Sequence, residues 1–152
     1  MMDRIKTAGG IVFKDGKFLF IYKRGMWDLP KGKFKNGDSE EATALIEVHE
    51  ETGLPLEEIK IVERLIPTYY IKNIDGKHLQ KKTWWFLMKF TGDSLTELVP
   101  ALEEDIEECR WVSEDELEYI LPATHERIVY LFDYLKQLPV YRQLMGRQTV
   151  PA

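Results

Sequence analysis

Short apolar runs alternate with turn signals along most of this chain. Residues 7–14, TAGGIVFK, and 17–23, KFLFIYK, are separated by Asp15-Gly16. Asp-Gly between two such runs favours the tight turn of a β-hairpin, so the pair predicts two antiparallel strands. Residues 59–74 are rich in β-branched and aromatic side chains and predict one long or broken strand. Asp75-Gly76 is a second hairpin signal, and 79–91 supplies the partner strand. Within that partner, Trp84 to Met88 are apolar without alternation, as expected of a central strand covered on both faces. Arg110-Trp111-Val112 predicts a further short strand.

Helical spacing appears in three places. Asp38 or Ser39 is a candidate N-cap, and Asp38 with Glu41 has the spacing of a capping box. The helix they open runs to about Thr52, with Gly53 as its stop and Leu45, Val48 and Thr52 as its inner face, opposite Glu47, Glu50 and Glu51. Ser113-Glu114-Asp115-Glu116 is another capping box, opening a helix to about Leu121. Residues 124–138 form an amphipathic helix with Ile128, Leu131, Phe132 and Leu135 inward. Beyond Pro139 the signals weaken. Residues 1–138 therefore read as one domain and 139–152 as a C-terminal tail. The order of elements predicts an α/β fold, a mixed β-sheet between helices in an α/β/α sandwich.

Composition narrows the classes. A chain of 152 residues with a 44% hydrophobic fraction suits a single domain with a full core. Its net charge of -5 argues against adhesion to nucleic acid or to anionic membrane, although bound cations allow phosphorylated ligands. No stretch is long enough to span a membrane, and the start MMDRIKTAGG has no apolar signal core. The single cysteine, Cys109, suits a reducing cytoplasm and sits where a core residue is expected. A homodimer is left open.

The chemistry concentrates in residues 32–54, GKFKNGDSEEATALIEVHEETGL. A helix advances about 100° per residue, so Glu47, Glu50 and Glu51 fall within roughly one third of its circumference. Carboxylates so close repel one another and raise each other's pKa. Mg²⁺ or Mn²⁺ would relieve that repulsion, since hard cations prefer carboxylate oxygens. The alternative is a solvated acidic face neutralised by lysines, yet no Lys or Arg occurs between Lys35 and Lys60.

This segment resembles the signature box of the Nudix hydrolases, G-x5-E-x7-R-E-U-x-E-E-x-G-U, with U a bulky aliphatic residue. Gly32 matches its first glycine, and residues 46–54, IEVHEETGL, match its helical end. Two positions depart: Asp38 stands where the family usually has Glu, and Ile46 where it usually has Arg. Ile46 removes an i,i+4 partner for Glu50. The strand 8–12, AGGIV, the entry Trp27-Asp28-Leu29-Pro30-Lys31-Gly32, and Arg110-Trp111-Val112 before a capped helix extend the resemblance over about residues 7–138. It implies the Nudix α/β/α sandwich and metal-dependent hydrolysis of a nucleoside diphosphate linked to another moiety. It also implies that Glu47, Glu50, Glu51 and the Gly32 carbonyl bind Mg²⁺ or Mn²⁺. The general base would be Glu47 or a carboxylate of a later loop, here Glu104. The WDLPKGK entry resembles that of members acting on diadenosine polyphosphates or diphosphoinositol phosphates, which are highly phosphorylated substrates.

Basic residues near the expected cleft fall into two sets: Lys31, Lys33 and Lys35 in the box loop, and His78, Lys81 and Lys82 before Trp84. Lys31, Lys33 and Lys82 are the phosphate contacts expected among them, and Tyr70 the aromatic. The competing function is a catalytically weakened module that binds or senses a nucleotide, for which Ile46 is the motive. A partner-binding domain is a third reading, but no exposed apolar stripe supports it.

Overall fold

The first hairpin sets the frame of the sheet. In the computed structural model, which describes residues 3–35 and 37–146, β1 (Asp3–Lys14) and β2 (Lys17–Lys23) run antiparallel with Phe13 opposite Phe18. Asp15 and Gly16 take φ of 47° and 78°, the left-handed pair that such a two-residue turn needs. β1 begins four residues before the apolar run. Its polar start still pairs through the backbone, from Asp3 opposite Leu79 onward, and apolar pattern reports burial rather than pairing.

Short strands β3 (Met26–Asp28) and β4 (Lys31–Lys33) pair with β2 and β1. The run expected as one long or broken strand is broken into β5 (Ile59–Arg64) and β6 (Thr68–Ile74). Pro67 at the break has no N–H to donate, and Leu65 leaves the ladder to bond the Trp85 carbonyl at 2.9 Å. Both strands pair antiparallel with β7 (Lys77–Phe90), which lies parallel to β1. β8 (Ile106–Ser113) pairs with β2 and is longer than the three residues expected. The eight strands form one mixed sheet with β1 and β7 at its centre.

Helices cover both faces. α1 (Glu40–Thr52) places Ala44 and Val48 against Ala8, Val12, Phe86 and Met88. On the opposite face, α2 (Leu117–Ile120) and α3 (Glu126–Lys136) bring Leu117, Ile128, Leu131, Phe132 and Leu135 against Ile11, Phe18, Phe20, Trp85 and Leu87. The four expected inward residues of α3 are all buried. Phe132 meets Phe18 edge-on at 5.5 Å and stacks on Phe20 at 5.4 Å. Each buried aromatic or aliphatic side chain contributes about 1.5–3 kcal/mol, so these two cores hold the helices against the sheet. The Ser113 capping box forms with reciprocal bonds of 3.1 and 3.3 Å to Glu116. The first part of the C-terminal tail packs on the domain. α4 (Pro139–Leu144) buries Tyr141 against Phe18, and the Tyr141 hydroxyl donates to Glu114. Residues 147–152 lie outside the described residues.

Candidate active site

α1 is fixed at both ends, which positions its side chains. Ser39 rather than Asp38 caps it, with its hydroxyl accepting from the Ala42 N–H at 3.1 Å. Gly53 ends it at φ 79°, donating to the His49 carbonyl at 2.9 Å, and His49 Nδ1 lies 2.6 Å from the Leu54 carbonyl. Arg64 of β5 pairs with Glu41 at 2.6 Å and holds the first turn to the sheet.

The glutamates do not lie opposite the packed face. Glu47 and Glu51 are 6% and 2% exposed, beside the fully buried Ala44 and Val48, while Glu50 is exposed. The helical wheel explains the correction: at about 100° per residue, Glu51 lies only about 20° from Ala44, with Glu47 about 40° further on and Glu50 about 60° beyond that. Glu47 and Glu51 therefore enter the seam between α1 and the loop around Gly32. Leu45, expected inside, is at the far edge and only half-buried.

That seam has no room for a side chain at residue 32. A Cβ there would stand 2.1 Å from Glu47 Oε2, so glycine lets the carboxylate rest on the backbone of β4. Glu51 Oε1 accepts from the Lys31 N–H at 3.1 Å. Asp28 fixes the other side of the loop. Its Oδ1 accepts from the Leu29 N–H at 2.8 Å, and its Oδ2 accepts from Lys31 Nζ at 2.8 Å, with both side chains almost fully enclosed. Burial pushes the Asp28 carboxyl up, but Lys31 and the two hydrogen bonds outweigh it and hold Asp28 below the usual range.

Glu47 and Glu51 of α1 are displaced in the other direction. Burial, then the charge of Glu50, pushes Glu47 up. Burial pushes Glu51 up to about 8. Two enclosed oxygen-donor groups with raised proton affinity are a donor set that a hard divalent cation fits. Among the described residues, no three His, Cys, Asp or Glu side chains are gathered closely enough to form a finished ligand set. Glu50 stands apart, with Lys35 Nζ at 3.4 Å. That lysine occupies the role which an arginine at position 46 would have had.

Gly32, Glu47, Glu50 and Glu104 line one cavity of ≈ 310 Å³. Glu104 enters from the turn at Leu102–Glu104 before β8, and its charge helps to raise Glu47. Lys31, Lys33 and Lys35 line the same cavity, together with Lys23 and Lys81. Lys82 does not: it faces away, its ammonium 4.3 Å from the Trp84 ring. This corrects the expectation of Lys82 as a phosphate contact. Strand alternation turns Lys81 toward the cavity and Lys82 to the other side. Tyr70 lines an adjoining cavity of ≈ 200 Å³ with Lys72, His125 and Arg127. Sequence reasoning missed Lys23, Arg24, Lys72, Arg127 and the Asp28 anchor. The signals were present for two of them: Arg24-Gly25 is a third turn, with φ of 51° and 81°, and Lys72 shares a strand face with Tyr70. Cys109 is half-buried, its thiol 3.6 Å from the Glu51 carbonyl and pushed up to about 12 by burial, which makes it a packing residue.

Residues 3–133 match the family model of the NUDIX domain, and the chain belongs to the Nudix family, hydrolases of diphosphate bonds. It is 27% identical over 124 residues to the RNA pyrophosphohydrolase of Teredinibacter turnerae, covering 73% of this chain and 72% of that one. The Ap4A hydrolase of C. elegans superposes with a TM-score of 0.64 at 21% identity, covering 90% of this chain and 97% of that one. A bifunctional NMN adenylyltransferase/ADP ribose pyrophosphatase of Francisella tularensis, complexed with AMP and a Mn ion, superposes at 0.61 with 17% identity. The superposition takes in 88% of this chain and only 42% of that one.

Proposed function

We propose that the chain hydrolyses a phosphoric anhydride bond in a nucleoside diphosphate linked to another moiety, or in a more highly phosphorylated relative, at the Gly32–Glu47 seam. The observation that carries this is the carboxylate of Glu47 resting on Gly32, inside a cavity that also holds Glu50, Glu104 and five lysines. Glu47, Glu50, Glu51 and the Gly32 carbonyl are the ligands for Mg²⁺ or Mn²⁺. When bound, such an ion neutralises the bridging phosphates and lowers the pKa of a water. Glu104 or Glu47 takes the proton from the attacking water, since both border the space where it must stand. Lys33 and Lys35 face the same space and hold the phosphates. Lys31 assists as a fixed charge, because its ammonium is committed to Asp28.

The substrate is a phosphorylated small molecule. A 5′-phosphorylated RNA end belongs in the same assay, given the name of the Teredinibacter relative. A net charge of -5 disfavours only nonspecific adhesion. A reducing cytoplasm fits the half-buried, free thiol of Cys109. No helix among the described residues is long and apolar enough to cross a membrane.

Release of phosphate or nucleotide from a panel of such substrates, with Mg²⁺, Mn²⁺ or EDTA, tests the reading. Turnover is expected with either ion and not with EDTA. Glu50→Gln and Glu51→Gln should each lower it by at least about a hundredfold while the protein stays folded, the loss of several kcal/mol of charge stabilisation. Full turnover in both variants would refute the assignment of the ligands.

A further inference from the structure

The cavity beside the glutamates is built of cations. Lys23, Arg24, Lys31, Lys72, Lys81 and Arg127 converge on its ≈ 200 Å³, and among the described residues Asp28 is the one carboxylate that lines it. Asp28 is already paired with Lys31, and Arg24 leans out to Asp105 at 2.9 Å. Among the described residues, no carboxylate lies within ion-pair distance of Lys23, Lys72, Lys81 or Arg127. Lys72, Lys81 and Arg127 are crowded together with Lys23, whose charge alone is offset in part, by Glu51 and Glu47, and like charges so placed repel one another at a cost to folding.

The geometry keeps them there. Tyr70 stands under the Arg127 guanidinium at 4.0 Å and near the Lys81 ammonium at 5.7 Å, so its ring joins β6, β7 and α3 at the floor of the cavity. Lys72 follows two residues later on the same strand face as Tyr70. Burial, followed by the neighbouring Lys31, Lys72, Lys23 and Arg127, pushes the Lys81 ammonium down to about 8. A strained group of this kind is relieved by an anion.

The two cavities also share a wall. Lys23, Lys31 and Lys81 line both, so one trough runs from Glu47, Glu50 and Glu104 to Lys72 and Arg127. We propose that the far end of this trough is an anion subsite for phosphoryl groups of the substrate that lie beyond the bond being cut. The preferred substrates then carry a phosphate chain longer than one diphosphate, and the enzyme measures it by charge. This rests on the reading of the glutamate end as the place of cleavage. Among the described residues that line the cationic end, Tyr70 is the one Phe, Tyr or Trp, and its ring is already covered by Arg127. Recognition there is of phosphate and not of a base.

The test uses inorganic tripolyphosphate and orthophosphate in EDTA, with binding followed by calorimetry at fixed low salt. The unaltered protein should bind tripolyphosphate at least about tenfold more tightly than orthophosphate, and Lys72→Gln/Lys81→Gln/Arg127→Gln should lose at least about tenfold of that affinity. Arg127→Gln and Lys72→Gln alone should each weaken it severalfold, which covers the case of a triple variant that does not fold. Lys60→Gln/Lys89→Gln, a loss of charge on an exposed stretch of β5 and β7 away from the trough, should change it by less than about twofold. A 5′-triphosphorylated oligoribonucleotide in a parallel titration separates a free polyphosphate chain from an RNA end as its source. Equal affinities assign the free chain, and a much tighter oligonucleotide that is equally sensitive to Arg127→Gln assigns the RNA end. No preference for tripolyphosphate, or an equal loss in the Lys60/Lys89 control, would overturn the subsite. Because EDTA removes the metal, turnover without tripolyphosphate binding refutes this subsite alone, and tripolyphosphate binding without turnover refutes the hydrolase reading alone.

Discussion

Gly32 and Glu47 make the tightest requirement in the candidate site. A methyl group on residue 32 cannot coexist with the carboxylate as placed, so Gly32→Ala must move Glu47, β4 or both. We expect a loss of about 1–3 kcal/mol by chemical denaturation, typical of an overpacked site, with turnover falling much further than stability. Ile46 behaves differently. It is half-buried, and Lys35 already attends Glu50 at 3.4 Å. Ile46→Arg should add an i,i+4 partner worth about 0.3–0.5 kcal/mol, leaving the melting temperature nearly unchanged and turnover equal or higher. A clear drop in melting temperature for Ile46→Arg would mean that its apolar side chain is needed for packing.

Among the elements, the loop from Asp28 to Gly32 matters most, because it is what α1 closes against. Asp28 is the anchor, and its held-down pKa gives a signed prediction. The folded value lies below the unfolded one, so the contribution to stability is complete above the ordinary carboxylate range and vanishes as pH falls through the folded value. Asp28→Asn leaves Lys31 enclosed without a counter-charge and should cost about 3–5 kcal/mol at pH 7. The gap to the unaltered protein should narrow steadily below about pH 4, as the native Asp28 also becomes neutral. Denaturation series at pH 7 and pH 3 measure both ends, and a gap independent of pH would remove the ion pair as its cause.

Across the whole molecule, what the sequence made legible follows from what its signals report. Period-2 and 3.6-residue patterns identified the hairpins, the central β7 and the inward face of α3, since those patterns record burial. They missed the start of β1 and most of β8, where strands continue on backbone pairing alone. The spacing of Glu47, Glu50 and Glu51 placed them together, but their burial depended on a loop twenty residues earlier pressing on the helix. Lys81 and Lys82 could be separated only once the phase of β7 against β6 was known. Arg127 reaches the trough from α3, an element that nothing in the local sequence ties to Tyr70.

The proposed divalent-cation site is the unfinished carboxylate set at the α1 seam. A titration with Mn²⁺, followed by the loss of its free-ion paramagnetic signal, measures this without any assumption about substrate. The unaltered protein should bind Mn²⁺ saturably, Mg²⁺ should compete for it, and Glu47→Gln and Glu51→Gln should each weaken binding by at least about tenfold with the fold retained. Mn²⁺ binding of wild-type strength in both variants would contradict the account.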